Sequence, residues 1–83
     1  MRGNFSYVYI LHSAADHKRF YTGVTAGLRE RISAHNRGRV RHASKWKPWI
    51  LKTYIAFRDR TRAADFERYL KSASGRAFVK KHL

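Results

Sequence analysis

The sequence predicts a small mixed α/β fold with elements in the order β-β-α-β-α-α. Three observations carry that reading. Three runs are rich in β-branched and aromatic residues, two longer stretches repeat their apolar residues at helical spacing, and the composition is 43% apolar with 14% aromatic. That apolar content separates the chain from a disordered polar tract. At 83 residues the expectation is a single domain over 1–83, with a thin core and no internal repeat, linker or low-complexity segment.

Phe5 to Leu11, FSYVYIL, reads as the first strand. Phe5, Tyr7, Tyr9 and Leu11 share one face while Val8 and Ile10 share the other, so both faces call for cover. His12 to Lys18 is small and polar, a connection of hairpin size, and Phe20 to Val24, FYTGV, is the second strand of an antiparallel hairpin. Thr25 suits a helix cap, after which Leu28, Ile32 and His35 recur at helical spacing until Gly38 stops the run. Arg39 to Pro48, RVRHASKWKP, is a basic loop leading into the third strand, Trp49 to Phe57, WILKTYIAF. Asp59 or Thr61 then caps a helix running to about Ser72, with Ala63, Phe66, Leu70 and Ala73 along one stripe. Ser74 to Leu83 forms a short last helix in which Phe78 and Leu83 pack back.

Charge narrows the function. Nineteen Lys and Arg oppose five Asp and Glu, a formal net charge of +14, and twelve of the cations are Arg. Such a field draws polyanions and releases counterions from phosphates, and the guanidinium fork matches phosphate geometry. Nucleic acid is therefore the expected partner, and no long amphipathic basic helix argues for a membrane surface. The chain has no cysteine, which excludes a disulfide framework, a thiolate nucleophile and a cysteine zinc site. No apolar run reaches the roughly 18 residues of a membrane span and no signal-peptide core is evident, so a cytoplasmic protein is expected.

Polar residues on inward stripes are the next signal. Arg31 and His35 lie three and four residues from Leu28 and Ile32, along the edge of the first helix's apolar side. Glu67 stands four residues from Ala63 and three from Leu70 on the second helix. A buried charge is costly unless paired or bound to a ligand. Two explanations stay open: an Arg31–Glu67 ion pair tying the helices together, or a site in which Glu67 holds a divalent cation and Arg31 a phosphate. With five acids in all, a two-metal carboxylate site is disfavoured, whereas one carboxylate with waters and a substrate phosphate suits magnesium.

Tyr9 and Tyr21 could face each other across the hairpin, as core residues with bonded tips or as site residues. Gly23 marks a close approach of backbone or ligand, or a bulge. Arg37, Arg39, Arg41, His42, Lys45, Trp46 and Lys47 form a basic, aromatic segment suited to nucleic-acid contact, with Trp46 and Trp49 as candidate stacking platforms. This segment alone would also serve a non-catalytic nucleic-acid-binding module, the rival reading.

Tyr7-Val8-Tyr9 and Tyr21-Thr22-Gly23 resemble the two halves of the GIY-YIG signature at the short spacing of that nuclease family. The stretch from Gly23 through Leu28, Arg31, His35-Asn36 and Gly38 is similar to the family's following helix, and Phe57 through Asp59, Ala63, Glu67 and Leu70-Lys71 to its glutamate-bearing segment. The chain resembles the short stand-alone members, related to the nuclease domains of excision-repair endonucleases and of structure-specific endonucleases. That resemblance implies an α+β GIY-YIG fold, a three-stranded antiparallel sheet flanked by helices with the active site on the sheet face. It implies a metal-dependent endonuclease acting on DNA rather than RNA, in repair or recombination, alone or with a protein partner or second copy. Carried over by position, Tyr9, Tyr21, Arg31 and His35 are the catalytic residues, and Glu67 is the ligand of one Mg2+ or Mn2+. Tyr7 replaces the signature's first glycine, Thr22 its isoleucine, and no asparagine follows Asn36 to match one found late in some relatives. His12, His17 and His82 are expected to be exposed bystanders.

Overall fold

The computed structural model describes residues 4–39 and 41–83, without the side chains of 41–43. Strands β1 (Ser6–Ser13), β2 (Phe20–Thr25) and β3 (Trp49–Phe57) alternate with helices α1 (Leu28–Asn36), α2 (Arg60–Leu70) and α3 (Ala73–His82) in the expected order, and a 3-10 turn spans Arg41–Trp46. The strands form one antiparallel sheet in the order β2-β1-β3, so β1 is central.

The alternation of β1 sorts its side chains into two cores. Val8 and Ile10 pack against Ala63 and Leu70, bordered by Phe66, Phe78 and Val79 from α2 and α3. Tyr9 and Leu11 point the other way, onto Trp49, with Leu28 and Ile32 of α1 closing over them. A central strand with apolar groups on both faces thus finds helices on both sides.

Strand β3 serves both cores because its register slips. Ile10 pairs with Thr53 but Leu11 with Leu51, leaving Lys52 as an extra residue. An extra residue reverses which face the following side chains occupy. Trp49 and Leu51 therefore join the α1 side, while Phe57 packs on Phe66 on the other, with ring centroids 5.5 Å apart. Simple alternation along WILKTYIAF would have placed all three on one face.

Caps settle the helix ends and shift two expected boundaries. Thr25 does not cap α1: it still pairs with Tyr7 in the sheet, its Oγ1 accepts from the Gly27 N–H, and Gly27 is the N-cap. Asp59 caps α2 by accepting from the Thr61 and Arg62 N–H groups. Ser72 does not end that helix; α2 stops at Leu70, and Ser72 accepts from the Gly75 N–H to start α3, so Ala73 belongs to the last helix. Gly38, with φ of 76°, takes the left-handed conformation that turns the chain away from α1.

Candidate active site

The chemistry-bearing side chains gather where β1, β2 and α1 meet. Tyr9 is 1% exposed, and its hydroxyl lies 3.2 Å from His35 Nε2. Arg31 Nε donates to the same hydroxyl at 3.3 Å. Tyr21 stacks alongside Tyr9 at 6.4 Å and meets the His35 ring edge-on at 4.3 Å. Trp49 backs the group, 6.3 Å from Tyr21 and 6.4 Å from His35. Four residues far apart in sequence, Tyr9, Tyr21, Arg31 and His35, thus form one contiguous cluster.

The sequence builds this locally. Tyr9 is opposite Gly23 in the β1–β2 ladder, and Tyr21 is opposite Leu11, so the two tyrosines are diagonal neighbours rather than a facing pair. Arg31 and His35, four residues apart on α1, sit one turn above the other, which lets both reach the Tyr9 hydroxyl. Arg31 is otherwise exposed, leaving its guanidinium open to solvent beyond that bond.

Burial and charge set the protonation states. Burial raises the Tyr9 pKa above its ordinary value; the Arg31 bond opposes the shift, and Tyr21 and Glu67 add to it. The phenol is therefore neutral here, against the expectation that Arg31 would bring it down. His35 is fully buried, and burial, then the Arg31 charge, lowers its pKa, so the imidazole is neutral too. Its Nδ1 is buried without a hydrogen-bond partner. Arg31 is held still more firmly in its charged form, first by its bond to Tyr9.

Glu67 projects from α2. Its carboxylate takes Lys71, one turn on, as its ion-pair partner at 2.5 Å, and its side chain is 17% exposed. The Arg31–Glu67 ion pair is not formed. Among the described residues no group of three or more His, Cys, Asp and Glu is placed to hold a metal. A half-buried carboxylate near neutral tyrosines instead fits a cation that keeps most of its waters.

Of the basic segment, Arg37, Arg39, Lys45 and Lys47 are exposed, while the side chains of Arg41 and His42 lie outside the described residues. The two tryptophans are not open platforms. Trp49 is 4% exposed, and Trp46 is half-buried under the Arg19 guanidinium, 4.2 Å from its ring centre, with the Lys45 ammonium at 5.1 Å. Apolar neighbours in the α1-side core outcompete solvent for both rings.

Two positioning residues are not evident from spacing. The Asn36 side chain bridges to the Trp49 backbone, its Nδ2 donating to the carbonyl and its Oδ1 accepting from the N–H. Ser13, 1% exposed, donates to the Trp46 carbonyl and accepts from the Ala15 and Asp16 N–H groups, fastening the start of the hairpin connection to the 3-10 turn. The only sequence signal for either is a small polar residue beside an apolar run.

The model of the GIY-YIG catalytic domain matches residues 5–81, from the start of the first strand into the last helix. The chain belongs to the GIY-YIG family. GIY-YIG domains are nucleases, so the activity is of nuclease type and the substrate class is nucleic acid. The match covers both tyrosines, Arg31, His35 and Glu67. No curated protein matches the chain. No helix among the described residues is long and apolar enough to cross a membrane.

Proposed function

We propose that residues 1–83 form one cytoplasmic GIY-YIG domain that hydrolyses phosphodiester bonds in DNA with a divalent metal ion, in repair or recombination. The observation that carries this reading is the Tyr9 hydroxyl bonded to both Arg31 and His35. Arg31 Nε can only donate, so the phenol's own proton is free to point at His35 Nε2, with His35 carrying its proton on Nδ1. That tautomer is an assignment from the network.

Hydrolysis needs a water aligned with the scissile bond, charge stabilisation on the phosphoryl oxygens and a destination for the water's proton. Tyr9 takes the water's proton while passing its own to His35, so no free phenolate has to form. Tyr21, stacked beside Tyr9, orients the water. The outward fork of Arg31 clamps a non-bridging oxygen. The P–O bond to the leaving sugar oxygen breaks, and that oxygen is protonated from solvent. Glu67 would hold one Mg2+ or Mn2+, which supplies charge neutralisation at the phosphate and leaving oxygen. Arg37, Arg39, Arg41, His42, Lys45, Trp46 and Lys47 line the approach of the duplex or strand.

The test is cleavage of labelled single-stranded, duplex and branched DNA by wild type and Glu67→Ala, with magnesium, manganese or chelator. Metal-dependent cutting by wild type, lost in the variant with binding retained, is the expected outcome. Binding without cutting on every substrate and metal would instead assign a non-catalytic module.

A further inference from the structure

An open groove of about 1000 Å³ lies on the α2–α3 side of the sheet, across β1 from the tyrosine cluster. Its floor is apolar, built from Ile10, Leu70 and Val79. Phe20 stands at its side on the edge strand, 54% exposed although it is a large apolar ring. Around the floor are Lys18, Arg19, Lys52, Lys71, Arg76 and Lys80, and no carboxylate lines the groove. Arg19 pairs with Asp16 and Lys71 with Glu67. Lys18, Lys52, Arg76 and Lys80 have no ion-pair partner among the described residues. Lys52 is the residue that the β3 register slip inserts.

Uncompensated cations around an apolar floor fit a ligand that is anionic along one edge and flat and apolar along the other. We infer that this groove binds an unpaired nucleic-acid strand, its phosphates on the lysine and arginine rim and a base stacked on Phe20. A duplex keeps its bases inside and meets such a surface through phosphates alone, so it gains nothing from the ring and the floor. An unpaired strand gains from both. The groove is continuous with the candidate site through Lys71, which lines it and pairs with Glu67, and through Tyr21. A strand leaving the scissile phosphate can pass round the edge strand β2 into it. The inference rests on the nuclease reading for the identity of the strand, and it makes the preferred substrate one with an unpaired end beside the cut.

Binding of fluorescein-labelled oligothymidylate and of a duplex of equal length is measured by anisotropy with the full chain in chelator, where nothing is cut. Phe20→Ala is expected to weaken the single strand by about tenfold, one stacked base, and the duplex less than about twofold. Arg76→Gln with Lys80→Gln is expected to lower the slope of log affinity against log salt for the single strand by about 1.4. Phe20 is exposed, so thermal unfolding of Phe20→Ala is expected to match wild type. Equal losses on both ligands, or no loss with Phe20→Ala and an unchanged slope with the rim variant, would overturn the inference. Cleavage by wild type is scored separately. A selective Phe20→Ala effect without any cutting would sink the nuclease reading and keep the groove; cutting with no such effect would do the reverse.

Discussion

The Tyr9 hydroxyl lies directly over Gly23, so close that a Cβ there would come within 2.5 Å of Oη and 2.7 Å of Cζ. Tyr9 is 1% exposed, and its hydroxyl is held by both His35 and Arg31, so it cannot retreat without giving up those bonds. Gly23→Ala is therefore expected to move the phenol while the sheet still forms. Misplacement by about 1 Å costs about 10²-fold in turnover. Cleavage rates with circular dichroism spectra check this; a variant that folds and cuts at the wild-type rate would remove Tyr9 from the chemistry.

Much of this geometry is legible in the sequence and some is not. Strand alternation puts Tyr9 and Val8 on opposite faces, and the four-residue step from Arg31 to His35 puts both on one helix face. Pairing register is invisible to such counting: it sets Tyr9 opposite Gly23 and Tyr21 opposite Leu11, and the slip at Lys52 moves Trp49 and Leu51 to the site side. Glu67 reads as inward from its apolar neighbours, but its partner Lys71 follows from side-chain reach along α2, which a stripe of apolar residues does not reveal.

Protonation of the buried pair gives a pH signature. The folded-state pKa of His35 is lowered from its ordinary 6.5, so below that pH the unfolded chain binds the proton more readily than the folded one. The His35 contribution is complete above about 6.5 and is lost as pH falls from there toward the lowered folded value. Tyr9 behaves in mirror image: its raised pKa leaves its contribution complete below 10.0 and lost as pH climbs past it. Urea unfolding between pH 8 and pH 5, about one to two units either side of the His midpoint, is expected to show stability falling with acid, and less steeply in His35→Gln. An unchanged slope in the variant would mean that another group carries the effect.

Lys71 competes with any cation for Glu67. Its ammonium sits on the carboxylate and must leave before a metal can take that oxygen. Lys71→Gln is expected to tighten Mn2+ binding, read by electron paramagnetic resonance, by up to about fivefold, the range of a partly exposed ion pair. The gain should shrink at high salt, which already screens the pair in wild type. Weaker Mn2+ binding in the variant would mean that Lys71 positions Glu67 instead of blocking it.

Asn36 is an exposed residue whose loss should behave like that of a buried one. Its single amide satisfies both the N–H and the carbonyl of Trp49, joining the end of α1 to the start of β3. Trp49 in turn packs against Tyr21 and His35, so this bridge fixes the floor on which the site is built. Asn36→Ala removes both bonds and is expected to cost about 1–3 kcal/mol in urea unfolding. Ordinary exposed substitutions stay within about 0.5 kcal/mol. Asn36→Asp separates the two bonds, because a carboxylate keeps the acceptor for the Trp49 N–H and cannot donate to the carbonyl. A variant intermediate between wild type and Asn36→Ala is expected, and one as unstable as Asn36→Ala would place the whole effect on the bond to the carbonyl.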